Sequence, residues 1–181
     1  PEKCAWKNDK SIPVEIASIR EPLGNAINAT FSTKISGNSV VIFGCGPTGL
    51  FSISIAKISG AAKIIAVEIS DYRGKLAKQL GADLVLNPKE DDIAEKILEE
   101  TDDLGADIVF EMSGNNNAIK EGFNVVRNEG TFIAFGIPSR KIEVDLANDI
   151  IFKGITVKGI IGRKLFENWY TMEKLLSSGV L

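Results

Sequence analysis

One short stretch constrains this chain more than any other. The apolar run Ser39-Val-Val-Ile-Phe43 passes directly into Gly44-Cys45-Gly46-Pro47-Thr48-Gly49, a G-x-G-x-x-G, and from there into a helical pattern reaching to about Ser59. Each glycine has a physical reason to be there. Gly44 permits a tight turn out of a strand, Gly46 lets the backbone come close to a pyrophosphate, and Gly49 lets the helix lie near the sheet. Pro47 falls in the first helical turn, where a missing N–H costs nothing. A helix starting here aims its free N–H groups and the positive end of its dipole at phosphate oxygens. The next apolar run, Lys63-Ile-Ile-Ala-Val67, ends at Glu68, at the distance past Gly49 where a ribose-binding acid is expected. A carboxylate there accepts both adenosine ribose hydroxyls and repels a 2′-phosphate, which favours NAD over NADP. Arg73, one turn into the following helix, could stack on adenine or offset the acid, or be an ordinary surface arginine. The plain structural alternative to the whole motif is a tight βα turn followed by a solvated strand end.

The rest of the chain repeats the same alternation. Further strands are expected at Asp83–Leu86, Asp107–Phe110, Gly130–Phe135 and Gly154–Lys158. Most are apolar on both faces, as strands covered by helices on each side should be. Between them, Tyr72, Leu76 and Leu80 recur one turn apart, as do Ile93 with Ile97 and Ala94 with Leu98. Ala118, Ile119, Phe123 and Val126 form another stripe, and Trp169, Met172 and Leu176 a last one that stops at Gly179. Six strands interleaved with helices predict an α/β fold with a doubly wound, six-stranded parallel sheet, the Rossmann fold, over residues 37–181. Residues 1–36 break the rhythm: Pro13 opens a helix through Arg20, and Leu23, Ile27 and Phe31 share a face of another. They read as an N-terminal helical arm or hinge. Ligands in such sheets lie at the carboxyl ends of strands, so Gly136, Ile137, Ile160 and Ile161, at the ends of the fifth and sixth strands, are candidates to flank a nicotinamide ring. Turn glycines and core isoleucines are the alternative.

Composition narrows the chemistry. None of the 181 residues is histidine, so a serine or cysteine triad, a His-rich zinc site and a histidine acid/base cannot come from this chain alone. Twenty-four acidic residues against twenty-one basic ones give a net charge of −3, a poor field for nucleic acid or an anionic membrane. No apolar run is long enough to span a bilayer and no signal peptide opens the chain, so a cytoplasmic protein is expected. Cys4 and Cys45 lie in unrelated contexts, as suits a reducing compartment. Cys45, at a helix N-terminus, is expected to have a somewhat lowered thiol pKa, with a small filler role as the alternative. Glu111 and Glu21 are isolated acids near the expected cleft.

The runs Ala5-Trp6-Lys7-Asn8, Glu21-Pro22-Leu23-Gly24-Asn25-Ala26, the glycine loop with Leu50, Glu111-Met112-Ser113-Gly114, Ile151-Phe152-Lys153-Gly154, Gly159-Ile160-Ile161-Gly162-Arg163 and Trp169-Tyr170 can be taken together. In combination they resemble the threonine dehydrogenase branch of the zinc-dependent medium-chain dehydrogenase/reductase superfamily. The resemblance implies pyrophosphate contacts from Gly44, Gly46, Pro47, Thr48, Gly49 and Leu50, adenosine contacts from Glu68 and Arg73, and hydride transfer from L-threonine to NAD. It implies zinc in the full-length enzyme, held mostly by an N-terminal catalytic domain absent here, and a homo-oligomer, in some relatives a tetramer. Glu21 falls where the family places a glutamate at or beside the metal; a helix-start acid is the other reading. The abrupt end at Leu181 is what an excised cofactor-binding half would show. Rival assignments are a polyol or secondary-alcohol dehydrogenase of the same superfamily, an adenosyl-methionine-dependent methyltransferase, and a stand-alone NAD-sensing module.

Overall fold

The computed structural model describes residues 2–10, 12–179 and 181. Among these, six strands form one parallel sheet in the order β3-β2-β1-β4-β5-β6. They are β1 (Ser39–Phe43), β2 (Lys63–Val67), β3 (Leu84–Leu86), β4 (Ala106–Glu111), β5 (Val126–Ala134) and β6 (Thr156–Gly159). Strand β1 pairs with β2 on one side and β4 on the other. The strand order therefore reverses at β1/β4, and a crevice opens there beyond the carboxyl ends.

Successive strand residues point to opposite faces, and both faces are apolar. Val41, Phe43, Ile65, Val67, Val109 and Phe132 pack against α5 (Ile93–Glu99) and α6 (Asn116–Val125). Their neighbours Val40, Ile42, Ile64, Ala66, Ile108 and Ile133 pack against α3 (Pro47–Ile58) and α4 (Asp71–Gln79). Short helices α1 (Val14–Ser18) and α2 (Arg20–Thr30) precede the sheet, and α7 (Glu167–Ser177) follows it. Leu23, Ala26 and Ile27 of α2 meet Ile55 of α3 and Trp169 and Met172 of α7 in a third apolar cluster. Trp6 extends that contact, stacking on Phe166 and donating its indole N–H to Glu173 at 2.9 Å. No helix among the described residues is long and apolar enough to cross a membrane.

Element edges differ from expectation in a few places. Arg20 opens α2 rather than closing α1. Strand β5 starts at Val126, ahead of Gly130, because an irregularity in its pairing with β4 absorbs residues around Glu129, which has φ 60°. Asp83 precedes β3 because its carboxylate accepts the Ile64 amide at 2.8 Å, capping the strand pair with a side chain. In α4, Tyr72 is 71% exposed and Leu80 38%, so the one-turn stripe is not the packed face. Gly74 and Ala77 turn inward instead. A Cβ on Gly74 would stand 3.2 Å from Val85, so small residues let this helix lie closer to the sheet than large ones could.

Candidate dinucleotide site

The glycine loop leaves β1 in a conformation that demands its residue types. Gly44 has φ +90° and donates its amide to the Val67 carbonyl at 2.9 Å, tying the loop to the end of β2. Gly46 caps α3 in an extended conformation, and a Cβ added to it would meet nothing within 4 Å. Pro47 is the first residue of α3, followed by Thr48. A Cβ on Gly49 would lie 2.0 Å from the Gly44 carbonyl oxygen, so the first turn of α3 sits directly on the loop. Leu50 packs partly into the core cluster on the α3 side.

Glu68 closes the arrangement from β2. It is 6% exposed, and both oxygens are occupied. Oε2 accepts the Cys45 amide at 2.8 Å, and Oε1 accepts the Ser70 amide at 2.9 Å and Arg73 Nη2 at 2.5 Å. Burial is the largest single influence on this carboxyl and raises its pKa. The bonds from Arg73, Cys45 and Ser70 together outweigh burial and hold it below the ordinary 4.5. The same surroundings reverse the expectation for Cys45: its thiol is fully buried and pushed up to about 12, first by burial and then by the Glu68 charge, against a small opposing pull from Arg73. Desolvation exceeds any helix-end effect there, and the small filler role is what the packing supports.

Next to this junction lies a cavity of about 720 Å³, with Gly44, Glu68 and Arg73 in its wall together with Ile69, Ser113 and Asn115. Of the candidate cofactor-binding residues picked out in the sequence, these first three are brought together there. Gly46 to Leu50 stand outside the lining, at the start of α3. At the far end of the sheet, Ile137 is 87% and Ile161 92% exposed, whereas Ile160 is partly buried against the α3-side core. Gly136 serves a close approach: its Cβ would lie 2.1 Å from the Gly114 nitrogen and 2.5 Å from Glu111 Oε2. In the sequence Ser113 stood only within the Glu111-Met112-Ser113-Gly114 run, with no role given to it, and Asn115 was not singled out. The N-cap pattern was the available signal, since the Asn115 side chain accepts the Asn117 and Ala118 amides at 2.9 and 3.2 Å to start α6.

Glu21 lies in the first turn of α2, with its side chain 54% exposed, and accepts Arg163 Nη1 at 2.6 Å and Asn25 Nδ2 at 3.1 Å. Among the described residues no group of three or more histidine, cysteine or acidic side chains is placed to hold a metal ion. This chain's residues therefore do not fit zinc on their own. A dinucleotide does fit, because Gly46 leaves open space at a helix N-terminus and an acid borders the adjoining cavity.

Residues 47–178 match the family described as zinc-binding dehydrogenase. The chain belongs to the zinc-binding dehydrogenase family. As a member of it, the chain spans about half the length of the relatives it matches. It is 46% identical over 180 residues to the L-threonine 3-dehydrogenase of Caldanaerobacter subterraneus subsp. tengcongensis, covering 99% of this chain and 52% of that protein. It is 46% identical over 181 residues to the L-threonine 3-dehydrogenase of Pyrococcus abyssi, with 100% and 52% covered. Among solved structures, 2R,3R-butanediol dehydrogenase from Bacillus subtilis superimposes with a TM-score of 0.82 at 32% identity over 93% of this chain and 49% of that one. L-idonate 5-dehydrogenase from Escherichia coli gives 0.85 at 28% identity over 96% and 49%.

Proposed function

We propose that this chain is the NAD-binding half of a cytoplasmic, zinc-dependent L-threonine 3-dehydrogenase that oxidises L-threonine to 2-amino-3-oxobutanoate. The observation that carries the proposal is the buried Glu68 carboxylate, bonded at 2.8 Å to the Cys45 amide of the glycine loop, with open space over Gly46. Residues 37–181 form the dinucleotide domain and residues 1–36 a helical arm toward a catalytic domain. Bound NAD supplies the hydride acceptor at its nicotinamide ring. The chain's own residues bind and orient it. Gly44, Gly46, Pro47, Thr48, Gly49 and Leu50 offer the pyrophosphate backbone amides and a helix N-terminus. Glu68 accepts the ribose hydroxyls and Arg73 covers the adenosine. Gly136, Ile137, Ile160 and Ile161 flank the nicotinamide, where exposed Ile137 and Ile161 exclude water from one side of the ring. No step through zinc is assigned to these residues, and Glu21 is at most a neighbour of a metal held elsewhere.

A second reading within the same superfamily, a secondary-alcohol or polyol dehydrogenase, is favoured by the likeness to butanediol dehydrogenase. Assays of the intact protein with threonine, butanediol and sorbitol separate the two. Threonine turnover is expected, and its absence alongside diol or polyol oxidation would replace the first reading with the second. In the intact protein, Glu68→Ala is expected to weaken NAD binding by about tenfold and to narrow the preference over NADP, by the loss of a charged acceptor at the ribose. An unchanged NAD/NADP ratio would remove Glu68 from the site. Assembly of copies through the exposed edge of β6 belongs to the same proposal.

A further inference from the structure

A carboxylate almost without solvent contact sits where the two halves of this site meet. Glu111, the last residue of β4, is 1% exposed, and β4 lies between β1 and β5. Burying an acid is unfavourable unless hydrogen bonds replace water, and here they do. Oε1 accepts the amides of Ser113 at 2.9 Å and Gly114 at 3.0 Å, together with the Ser113 hydroxyl, and Oε2 shares the Gly114 amide at 3.1 Å. All these donors belong to the turn that leaves β4. The main-chain carbonyl of the same residue takes the amides of Phe135 at 3.0 Å and Gly136 at 2.9 Å from the exit of β5. One residue thus fastens both strand exits.

Its partners reach the cofactor elements on either side. A Cβ on Gly44 would lie 2.8 Å from the Ser113 Cβ, so the turn held by Glu111 bears directly on the glycine loop. In the other direction a Cβ on Gly136 would lie 2.5 Å from Glu111 Oε2, and a Cβ on Gly114 would lie 2.5 Å from the Ile137 carbonyl oxygen. No slack separates Gly44, Ser113, Glu111 and Gly136 across the mouth of the sheet. We propose that Glu111 is a positioning residue for the dinucleotide, its carboxylate setting the distance between the cavity that takes the adenosine and the β5 exit that flanks the nicotinamide. It touches no ligand, and its effect passes through the Ser113–Gly114 turn. The proposal rests on the dinucleotide reading above.

Calorimetric titration of the intact protein with AMP and with NAD tests it. AMP needs only the β1–β2 side of the site, whereas NAD needs both sides at the correct separation. Glu111→Gln keeps the shape but sets an NH₂ among donors, so NAD affinity is expected to fall by about tenfold while AMP affinity stays within about twofold of wild type. Glu111→Asp keeps the charge and draws it back by one methylene, and a smaller loss in the same direction is expected. Equal loss for AMP and NAD, or unchanged NAD affinity, would overturn the positioning role. Failure of both variants to fold, read from thermal melts, would overturn it in favour of a purely structural one. Wild-type protein that binds neither ligand would instead overturn the dinucleotide reading, and the positioning role with it.

Discussion

At the scale of single residues, Glu68 shows how a buried acid stays ionised. Desolvation opposes the charge, while Arg73 and the amides of Cys45 and Ser70 favour it and prevail. Its native pKa is therefore below the value of the unfolded chain, and the native state binds this proton less tightly. The resulting stability is fully present above pH 4.5 and is lost as pH falls through the depressed native value. Asp107 acts in the same sense at the opposite end of the sheet: burial is again the largest influence and raises its pKa, but Arg127 and Ser39 hold it down. Glu68→Gln is expected to flatten the acid limb of the stability curve relative to wild type, and urea melts between about pH 3 and 7 measure it. A limb of unchanged steepness would mean that Glu68 is no better stabilised folded than unfolded. Glu68 was legible in the sequence because strand, glycine loop, helix and acid stand in a fixed order. Glu111 was legible as an acid near the cleft, but its burial was not, because that depends on Gly136, twenty-five positions away, leaving just enough room beside it.

Elements were legible in proportion to how much of their pattern is local. The strands announce themselves by apolar runs, and β1 and β2 fall where those runs lie. Helix faces are harder to read, because a stripe of large apolar residues competes with a stripe of small ones. In α4 the small one is inside. The last helix offers a cleaner case. Trp169 is 8% exposed, packs in the cluster shared by α2, α3 and α7, and has the Arg163 guanidinium 5.0 Å above its ring. A Cβ on Gly24 of α2 would stand 2.4 Å from Trp169 Cζ3, so the indole fills a space that only glycine leaves open. Trp169→Ala is expected to destabilise the protein by about 3 kcal/mol or more, as large-to-small changes in a packed cluster do. Chemical denaturation checks it. A loss near zero would show that α7 is held by its polar contacts, among them Arg20 and Trp6 with Glu173, and not by the indole.

At the scale of the whole molecule, the sheet order could be read in advance because a chain of βαβ units with right-handed crossovers has few ways to close. Its two edges are unequal, β3 being partly covered and β6 bare. All four residues of β6 are exposed, Val157 is 42% so, and Phe152 and Ile161 beside it are 79% and 92% exposed. An open strand edge flanked by bare apolar side chains invites a second strand. On the proposed assembly of copies through β6, Val157→Lys in the intact protein is expected to shift the mass toward smaller species, and light scattering after size exclusion reads it. An unchanged mass would place the contact between copies elsewhere. The abutment of Gly49 on the Gly44 carbonyl carries a consequence for anyone wishing to redesign nucleotide preference. The bend itself admits no side chain at Gly49, so it offers no handle. Glu68, just past β2, and Arg73, in the first turn of α4, can be rewritten without dislodging the helix that follows the bend.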